Sequence, residues 1–166
     1  LDAAMAQLTN LKQHATDVVI SGCSAGGLAT LLQCDHYAQQ LPHDARVRCV
    51  PQSGIFPDGP LNYQAGMTWT FHQHNASVNQ ECLETEVPQS NCNFAQYVMK
   101  YIRTPTFPLQ STYDTWQTAN EIYSNDDALI NEWGRNLTYL IWTNLLLRHH
   151  GSKQQNHHGI FLDSSI

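Results

Sequence analysis

The chain has 166 residues, of which 42% are hydrophobic and 13% are charged, and its formal net charge is -6. This length and composition are typical of one globular domain with a sizeable core, and they exclude a disordered chain. The negative charge, with no basic cluster to offset it, argues against a nucleic-acid-binding protein. The longest apolar run, Leu137 to Leu147, is too short to span a bilayer.

The cysteines and two short motifs point to an oxidising compartment. Five cysteines stand in a chain of modest size, and Asn75-Ala76-Ser77 and Asn136-Leu137-Thr138 fit the N-glycosylation pattern. Cys82 and Cys92 flank a polar stretch where a disulfide would serve as a staple. The N-terminus has neither an initiator Met nor a signal segment. We therefore expect a secreted glycoprotein, and a chain cut from a longer precursor.

Strand and helix patterns alternate along the chain. Periodicity predicts helices over 2–13, from the residues after 24 to Pro42, over 94–102 and over 128–148, and strands over 16–20, 47–50, 106–111 and 159–163. Residues 59–93 are predicted to be an irregular insertion with some helix. The alternation predicts a mostly parallel α/β sheet with helices on both faces. The run Val18-Val19-Ile20 has no polar residue, which predicts that its strand is covered on both faces.

The segment Gly22-Cys23-Ser24-Ala25-Gly26 joins the first predicted strand to a helix. It fits the G-x-S-x-G pattern, in which a sharp turn presents a serine hydroxyl above a parallel sheet. Such a turn forces an unusual backbone angle on the serine and needs small neighbours. Ser24 is therefore a candidate nucleophile, and the alternative is a plain tight turn.

Asp114 follows the third predicted strand, and chemistry in parallel sheets collects at the carboxyl ends of the strands. The order of serine and then aspartate matches hydrolases in which the acid orients a histidine base. The alternative is that Asp114 is only a helix cap.

None of the nine histidines follows the last predicted strand. His157 and His158 precede that strand, His149 and His150 end a helix, and His36 is expected at the surface of its own helix. His72 and His74, in the insertion, stay open as a base. The paired histidines lack a carboxylate at a suitable spacing, so no metal site is predicted.

Several motifs together resemble the plant-type pectin acetylesterase family. They are Ser21 to Ala29, Cys34-Asp35, Val47-Arg48-Cys49, Gly54-Ile55-Phe56-Pro57-Asp58, Arg103 to Phe107 and Tyr113-Asp114-Thr115-Trp116-Gln117, in the family's order. The resemblance runs from about residue 20 to residue 163. It implies an α/β-hydrolase-like fold, and hydrolysis of acyl groups, acetyl above all, from a polysaccharide such as pectin. It implies no metal and no cofactor.

The same resemblance assigns roles to individual residues. Ser24 matches the nucleophile, Asp114 matches the acid, and the amide of Ala25 would supply one oxyanion-hole donor. The resemblance also implies two disulfides and a free Cys23. The disulfides pair Cys34 with Cys49 and Cys82 with Cys92.

The chain departs from the family pattern in three places. The family histidine comes a few residues after the last strand, so we expect the base beyond Ile166, and Ser165 stands where relatives have cysteine. The Gly-rich loop with the other oxyanion donors, and the first strands of the sheet, are expected upstream of Leu1. Gln52 replaces an aspartate. The chain as written is therefore expected to have little activity, and the complete protein is expected to be a monomer.

Two alternatives to a polysaccharide deacetylase remain from the sequence. The first is a protein-lipid (palmitoleoyl) deacylase of the Notum type, which belongs to the same family. The lining of the acyl pocket would distinguish the two activities. The second is a secreted, non-catalytic binding domain on the same scaffold.

Overall fold

The fold is built on a four-stranded parallel sheet. The computed structural model describes residues 2–8, 13–59, 61–147 and 158–164. The strands in these residues are β1 Asp17–Cys23, β2 Arg46–Gln52, β3 Leu109–Ser111 and β4 Phe161–Asp163, in the order β1-β2-β3-β4. All three pairings are parallel, which confirms the predicted sheet type.

The strands differ from their predicted bounds for local reasons. β1 and β2 run on to Cys23 and Gln52, which are register partners at the carboxyl edge of the sheet. β3 is shorter than predicted and begins at Leu109. Pro108 has no amide hydrogen to donate to a neighbouring strand. Upstream of it, only an isolated bridge between Thr106 and Cys49 continues the pairing.

Seven α-helices lie in the described residues. They are α1 Asp2–Gln7, α2 Ala25–Ala38, α3 Leu61–Gln73, α4 Gln80–Thr85, α5 Ala95–Val98, α6 Thr115–Gln117 and α7 Asp127–Ile141. A 3₁₀ segment covers Gln89–Asn93, and π-helical segments cover Thr118–Ile122 and Trp142–Leu146. None of the helices in the described ranges is long and apolar enough to cross a membrane.

Three predicted helices are shorter in the structure. α1 ends at Gln7 rather than at residue 13, and residues 9–12 lie outside the described residues. α2 ends at Ala38 rather than at Pro42. The helix predicted over 94–102 is reduced to α5 and the turns after it. Phe94, Val98 and Ile102 are nonetheless buried, so their spacing came from burial in the core rather than from one continuous helix. The stretch 61–93 is more helical than predicted, because it contains α3, α4 and the 3₁₀ segment.

The core lies on the face of the sheet that α2 covers. Leu31 and Cys34 of α2 cluster with Cys49 of β2 and with Leu137 and Ile141 of α7. The other face of β1 and β2 is open in the described part of the chain: Val19 is 65% exposed, and Arg48 is exposed as well. The apolar run of β1 therefore has cover on one face only, where the sequence predicted cover on both.

Two disulfides are present, with the pairings that the family resemblance implied. Cys34–Cys49 joins α2 to β2, and Cys82–Cys92 joins α4 to the 3₁₀ segment. Next to the first disulfide, the carboxylate of Asp35 accepts hydrogen bonds from the amides of Arg103 and Thr104, at 3.0 and 2.8 Å. It also accepts one from the side chain of Asn79, at 3.0 Å. α2 is thus held to the sheet by a covalent bond and to two loops by one carboxylate.

Candidate active site

Ser24 lies in a sharp turn between β1 and α2. Its backbone has φ 57° and ψ -121°, the unusual angle that the motif predicted. Its amide donates to the carbonyl of Gln52, at 2.9 Å, and its carbonyl accepts from the amide of Leu28, at 3.0 Å. A non-glycine residue with this backbone costs of the order of 1–3 kcal/mol and persists only where the surroundings impose it. The side chain is exposed at the carboxyl edge of the sheet.

Close backbone contacts impose this turn. A Cβ added to Gly22 would lie 2.6 Å from the carbonyl carbon of Gly26. A Cβ added to Gly27 would lie 2.8 Å from the Cα of Gly54, in the loop after β2. Real Cβ atoms do not approach backbone so closely, so glycine is required at both contacts. The small residues of the motif therefore let the strand, the helix and the next loop meet beneath Ser24.

The amide of Ala25 begins α2, directly after Ser24. The first amides of a helix have no partner inside it, and they point along the helix axis towards its positive end. α2 has 14 residues, so its N-terminus favours negative charge next to the serine. This arrangement suits an oxyanion that forms on a group attached to Ser24.

Asp114 follows β3 by three residues and caps α6. Its Oδ1 accepts from the amides of Trp116 and Gln117, at 2.8 and 3.1 Å. The capping role that the sequence left open is thus present, and it does not exclude a role as the acid, since one carboxylate oxygen makes both bonds. Only β2 separates the strands that precede Ser24 and Asp114, which is a distance of about 10 Å between strand axes.

The buried side chain of Gln117 anchors the Asp114 segment to the residues beneath the surface. Its side chain is fully buried, donates to the carbonyl of Ile55 at 2.8 Å and accepts from the indole of Trp133 at 3.3 Å. The amide of Ile55 in turn donates to the side chain of Gln110, at 3.1 Å. The sequence offered one signal for this network, since Gln117 ends the Tyr-Asp-Thr-Trp-Gln motif, but no role was predicted for it.

An aromatic wall, defined by Trp116, Phe56 and Tyr63, stands beside Asp114. Trp116 is 48% exposed, and its ring meets that of Phe56 edge-on at 5.3 Å. Tyr63 lies behind them, with its ring centroid 6.5 Å from that of Phe56. Half-exposed indole next to a candidate catalytic acid is a surface on which a flat apolar or sugar-ring face can pack.

Glu121 is a second carboxyl close to Asp114, and the sequence analysis missed it. Its side chain is fully buried, and neither oxygen has a hydrogen-bond partner among the described residues. Burial raises the pKa of Glu121 to about 8, and the charge of Asp114 adds to the effect. Burial, together with Glu121 and Asp58, also raises the pKa of Tyr63.

The histidines that the sequence left open as a base make other contacts in the described residues, as do His36 and His158. His158 precedes β4, at the opposite end of the sheet from Ser24, and its Nδ1 accepts from the amide of Thr106 at 3.2 Å. His36 is exposed on α2, with its Nε2 2.8 Å from the side-chain nitrogen of Gln40. His72 and His74 are exposed and pack edge-on against Phe71 and Trp69. His149, His150 and His157 lie outside the described residues.

Two further predictions concern metals and the odd thiol. Across the described ranges, no three His, Cys, Asp or Glu side chains are grouped so that they could hold a metal ion. Cys23 is free and exposed at the end of β1.

A parallel sheet with a serine at a sharp strand-to-helix turn defines an α/β-hydrolase fold. Two crystal structures of the Wnt deacylase Notum from Drosophila share it, with TM-scores of 0.75 and 0.74. The first is 19% identical in sequence and covers 96% of this chain and 47% of its own. The second is 20% identical and covers 98% of this chain and 49% of its own.

The chain belongs to the pectinacetylesterase family, whose model matches residues 1–141. Pectin acetylesterase 4 of Arabidopsis thaliana is 35% identical over 140 residues, which are 80% of this chain and 34% of the relative. Pectin acetylesterase 5 of the same plant is 38% identical over 129 residues, which are 73% of this chain and 30% of the relative. The chain therefore spans about a third of the length of these relatives.

Proposed function

We propose that the complete protein is a serine carboxylesterase that removes acetyl groups from a polysaccharide such as pectin. The observation that supports this most is the backbone of Ser24, held at φ 57° and ψ -121° with its side chain exposed. A strained serine at the end of a parallel strand, followed by a helix N-terminus, is the arrangement of a nucleophile in hydrolases of this fold.

In the proposed reaction, the Ser24 hydroxyl oxygen attacks the ester carbonyl carbon while a histidine takes the hydroxyl proton. The carbonyl oxygen becomes an oxyanion, and the amide of Ala25 donates to it at the N-terminus of α2. The tetrahedral intermediate collapses, and the same histidine gives the proton to the departing alcohol. Water then attacks the acyl-enzyme by the reverse roles, which frees the acid and restores Ser24.

Asp114 is proposed to orient that histidine and to balance its positive charge. Its position after β3, one strand beyond the neighbour of β1, supports this role. The histidine is proposed to follow β4, since β4 is the next strand beyond β3 and ends at the same edge of the sheet. A residue there is close to Asp114 and can reach across to Ser24.

The proposed substrate rests on the relatives. Those named pectin acetylesterases are 33–38% identical to this chain, whereas the Wnt deacylase is 19–20% identical and supports the fold alone. The aromatic wall beside Asp114 supports a sugar substrate, because half-exposed Trp116 can pack against a pyranose face. Deacylation of a lipid-modified protein and a purely binding role are the outcomes against which the proposal is tested.

We also propose that the protein is secreted and carries N-glycans on Asn75 and Asn136. Both side chains are exposed, and Asn75 lies in a left-handed turn after α3. Expression through a eukaryotic secretory pathway should give two glycans, removable by an N-glycosidase. Asn75→Gln and Asn136→Gln should each lose one. A protein without either glycan would contradict this part of the proposal.

The experiment is hydrolysis by the full-length protein of p-nitrophenyl acetate, of acetylated pectin and of a palmitoleoylated peptide. Ser24→Ala should lower kcat/KM on the active substrate by about 10³-fold or more. Ser53→Ala is the matched control, because Ser53 directly follows the neighbouring strand β2, as Ser24 follows β1, and also has a positive φ, of 45°. It should retain activity.

Each result points to one alternative. Release of acetate from pectin that requires Ser24 supports the proposal. Release of palmitoleate with no release of acetate supports the lipid deacylase instead. Hydrolysis that survives Ser24→Ala contradicts the assignment of the nucleophile. A folded protein that hydrolyses none of the three substrates contradicts a catalytic function and leaves the binding domain.

A further inference from the structure

Glu121 is the least satisfied polar side chain near the candidate site. It is fully buried, and both of its oxygens lack hydrogen-bond partners among the described residues. An ionised carboxylate in that position would lose its hydration and gain no compensating bond. Burial of Glu121 therefore strongly favours its neutral, protonated form.

The segment that carries Glu121 also carries Asp114. Asp114 caps α6, and the chain passes directly into the π-helical stretch Thr118–Ile122, which contains Glu121. The hydroxyl of Thr118 donates to the carbonyl of Asp114, at 2.9 Å. The stretch ends at Tyr123, which has a left-handed φ of 53°. One short, irregular piece of helix therefore holds both carboxyls, and π-helical turns of this kind recur at functional sites.

The described residues around Glu121 offer it no positive charge. On its own segment the neighbouring charge is Asp114. From α3 it is faced by Tyr63, whose pKa is raised by burial, by Glu121 and by Asp58. α7 also packs on the segment. Its charged side chains Asp127, Glu132 and Arg135 are exposed to solvent.

We propose that Glu121 is a positioning residue for Asp114: it is buried as a neutral carboxylic acid, and the segment from Asp114 to Tyr123 stays closed only while the group is neutral. This role rests on the proposed function, in which Asp114 is the acid of the triad. Loss of the proton leaves an unpartnered anion beside Asp114, so the segment opens to let water reach it. The site then favours acidic conditions.

The direction of the pH dependence follows from the pKa of Glu121 in the closed and in the opened segment. In the closed segment the pKa of Glu121 is about 8, and in an opened, hydrated segment the pKa returns towards 4.5, the ordinary value for a glutamic acid side chain. The closed form binds the extra proton between these values. The extra stability that this proton gives to the closed segment is fully present below about pH 4.5 and is lost as pH rises to about 8. Within that window the opening equilibrium rises by up to tenfold for each pH unit.

A second helix cap in the same molecule provides a matched control. Asp126 caps α7 by the same geometry, with its Oδ1 accepting from the amides of Ala128 and Leu129 at 2.7 and 3.2 Å. Asp114 accepts from Trp116 and Gln117 at 2.8 and 3.1 Å. Both are aspartate caps, but only the Asp114 cap lies on the segment that holds a buried carboxyl.

The experiment is residue-level hydrogen exchange of the full-length protein from pH 5 to pH 8, corrected for the intrinsic exchange rates. Protection at Trp116 and Gln117 should fall by up to tenfold for each pH unit, while protection at Ala128 and Leu129 stays constant. In Glu121→Gln, which keeps the shape of the neutral acid, protection at both caps should be independent of pH. Glu121→Met, with no polar group, should behave in the same way.

Equal slopes at the two caps, or no slope at either, would overturn the proposal. The comparison within the unmutated protein holds even if one variant fails to fold. If protection at Trp116 still changes with pH in Glu121→Gln, the pH dependence belongs to another titrating group. Exchange needs no substrate, so its result is separate from the hydrolysis assay. A protein that hydrolyses no ester at any pH contradicts the proposed function, whereas the exchange slopes alone decide the role of Glu121.

Discussion

The backbone of Gly27 lies against the backbone of Gly54. A Cβ on Gly27 would lie 2.8 Å from the Cα of Gly54, and a Cβ on Gly54 would lie 2.6 Å from the Cα of Gly27. This contact joins the first turn of α2 to the loop after β2, and the carbonyl that accepts from the amide of Ser24 belongs to Gln52, two residues before Gly54. The strained turn at Ser24 is thus fixed by the approach of two glycines.

We predict that Gly27→Ala and Gly54→Ala each lower the free energy of unfolding by about 3 kcal/mol, the upper end of the cost of overpacking. The added methyl meets backbone atoms, which cannot rotate away as a side chain could. Urea unfolding measures the change. The same variants should lower esterase activity in the full-length protein, because the turn at Ser24 shifts with them.

Gly26→Ala is the control for this prediction. It sits one residue away in the same turn of α2, but a Cβ there meets nothing within 4 Å. Replacing glycine by alanine within a helix should stabilise the protein by about 0.5–1 kcal/mol. A loss of stability in Gly26→Ala as large as in Gly27→Ala would show that the backbone contact is not the cause.

Asp114→Asn separates the capping role of Asp114 from its proposed role as the acid. Asparagine is about as good a helix cap as aspartate, so stability should change by less than about 0.5 kcal/mol. The negative charge that would orient a histidine is lost, and kcat should fall by about 10⁴-fold if Asp114 is the acid. Thermal unfolding and hydrolysis of p-nitrophenyl acetate are measured on the same preparation.

Asp126→Asn serves as the matched variant for Asp114→Asn. It changes an aspartate cap of the same geometry, at the start of α7. Both its stability and its activity should stay close to those of the unmutated protein. If Asp114→Asn also retains its activity, Asp114 is a cap and nothing more, and the acid must be sought elsewhere.

The sequence predicted the order of the elements well, because strand and helix periods reflect which side chains reach the core. It predicted the turn at Ser24 because G-x-S-x-G states a backbone requirement that few residues meet. The Cys34–Cys49 disulfide followed only from the family resemblance, since five cysteines permit many pairings, whereas the polar stretch between Cys82 and Cys92 already indicated the second disulfide. These features are local or belong to a shared motif, which is why they could be predicted.

The helix over 94–102 and the burial of Glu121 could not be predicted in this way. Phe94, Val98 and Ile102 have a helical spacing, but they pack into the core from a short helix and from turns. Glutamate is a residue type that usually lies at the surface. The burial of Glu121 depends on how other elements, such as α7, pack on its segment. Tertiary contacts decided both cases.

The two disulfides should differ in what their removal does to the site. Their loops span 15 and 10 residues, so the entropy of the unfolded chain assigns each a similar contribution of about 3 kcal/mol. Cys34–Cys49 also belongs to the core cluster and joins α2 to β2, the two elements whose contact fixes Ser24. Cys82–Cys92 joins only α4 to the 3₁₀ segment.

All four cysteines are fully buried, but only Cys34 and Cys49 pack in the core cluster between α2 and β2. We therefore predict that the double variant Cys34→Ala/Cys49→Ala loses more stability than Cys82→Ala/Cys92→Ala, by about 1–2 kcal/mol, because the cavity opens within that cluster. It should also lose protection of the Leu28 amide, which donates to the carbonyl of Ser24. Urea unfolding and hydrogen exchange measure the two effects. Because the two loops are nearly matched in length, equal losses of stability with an unchanged Leu28 amide would mean that loop entropy alone accounts for both bonds. The first disulfide would then have no part in holding the turn at Ser24.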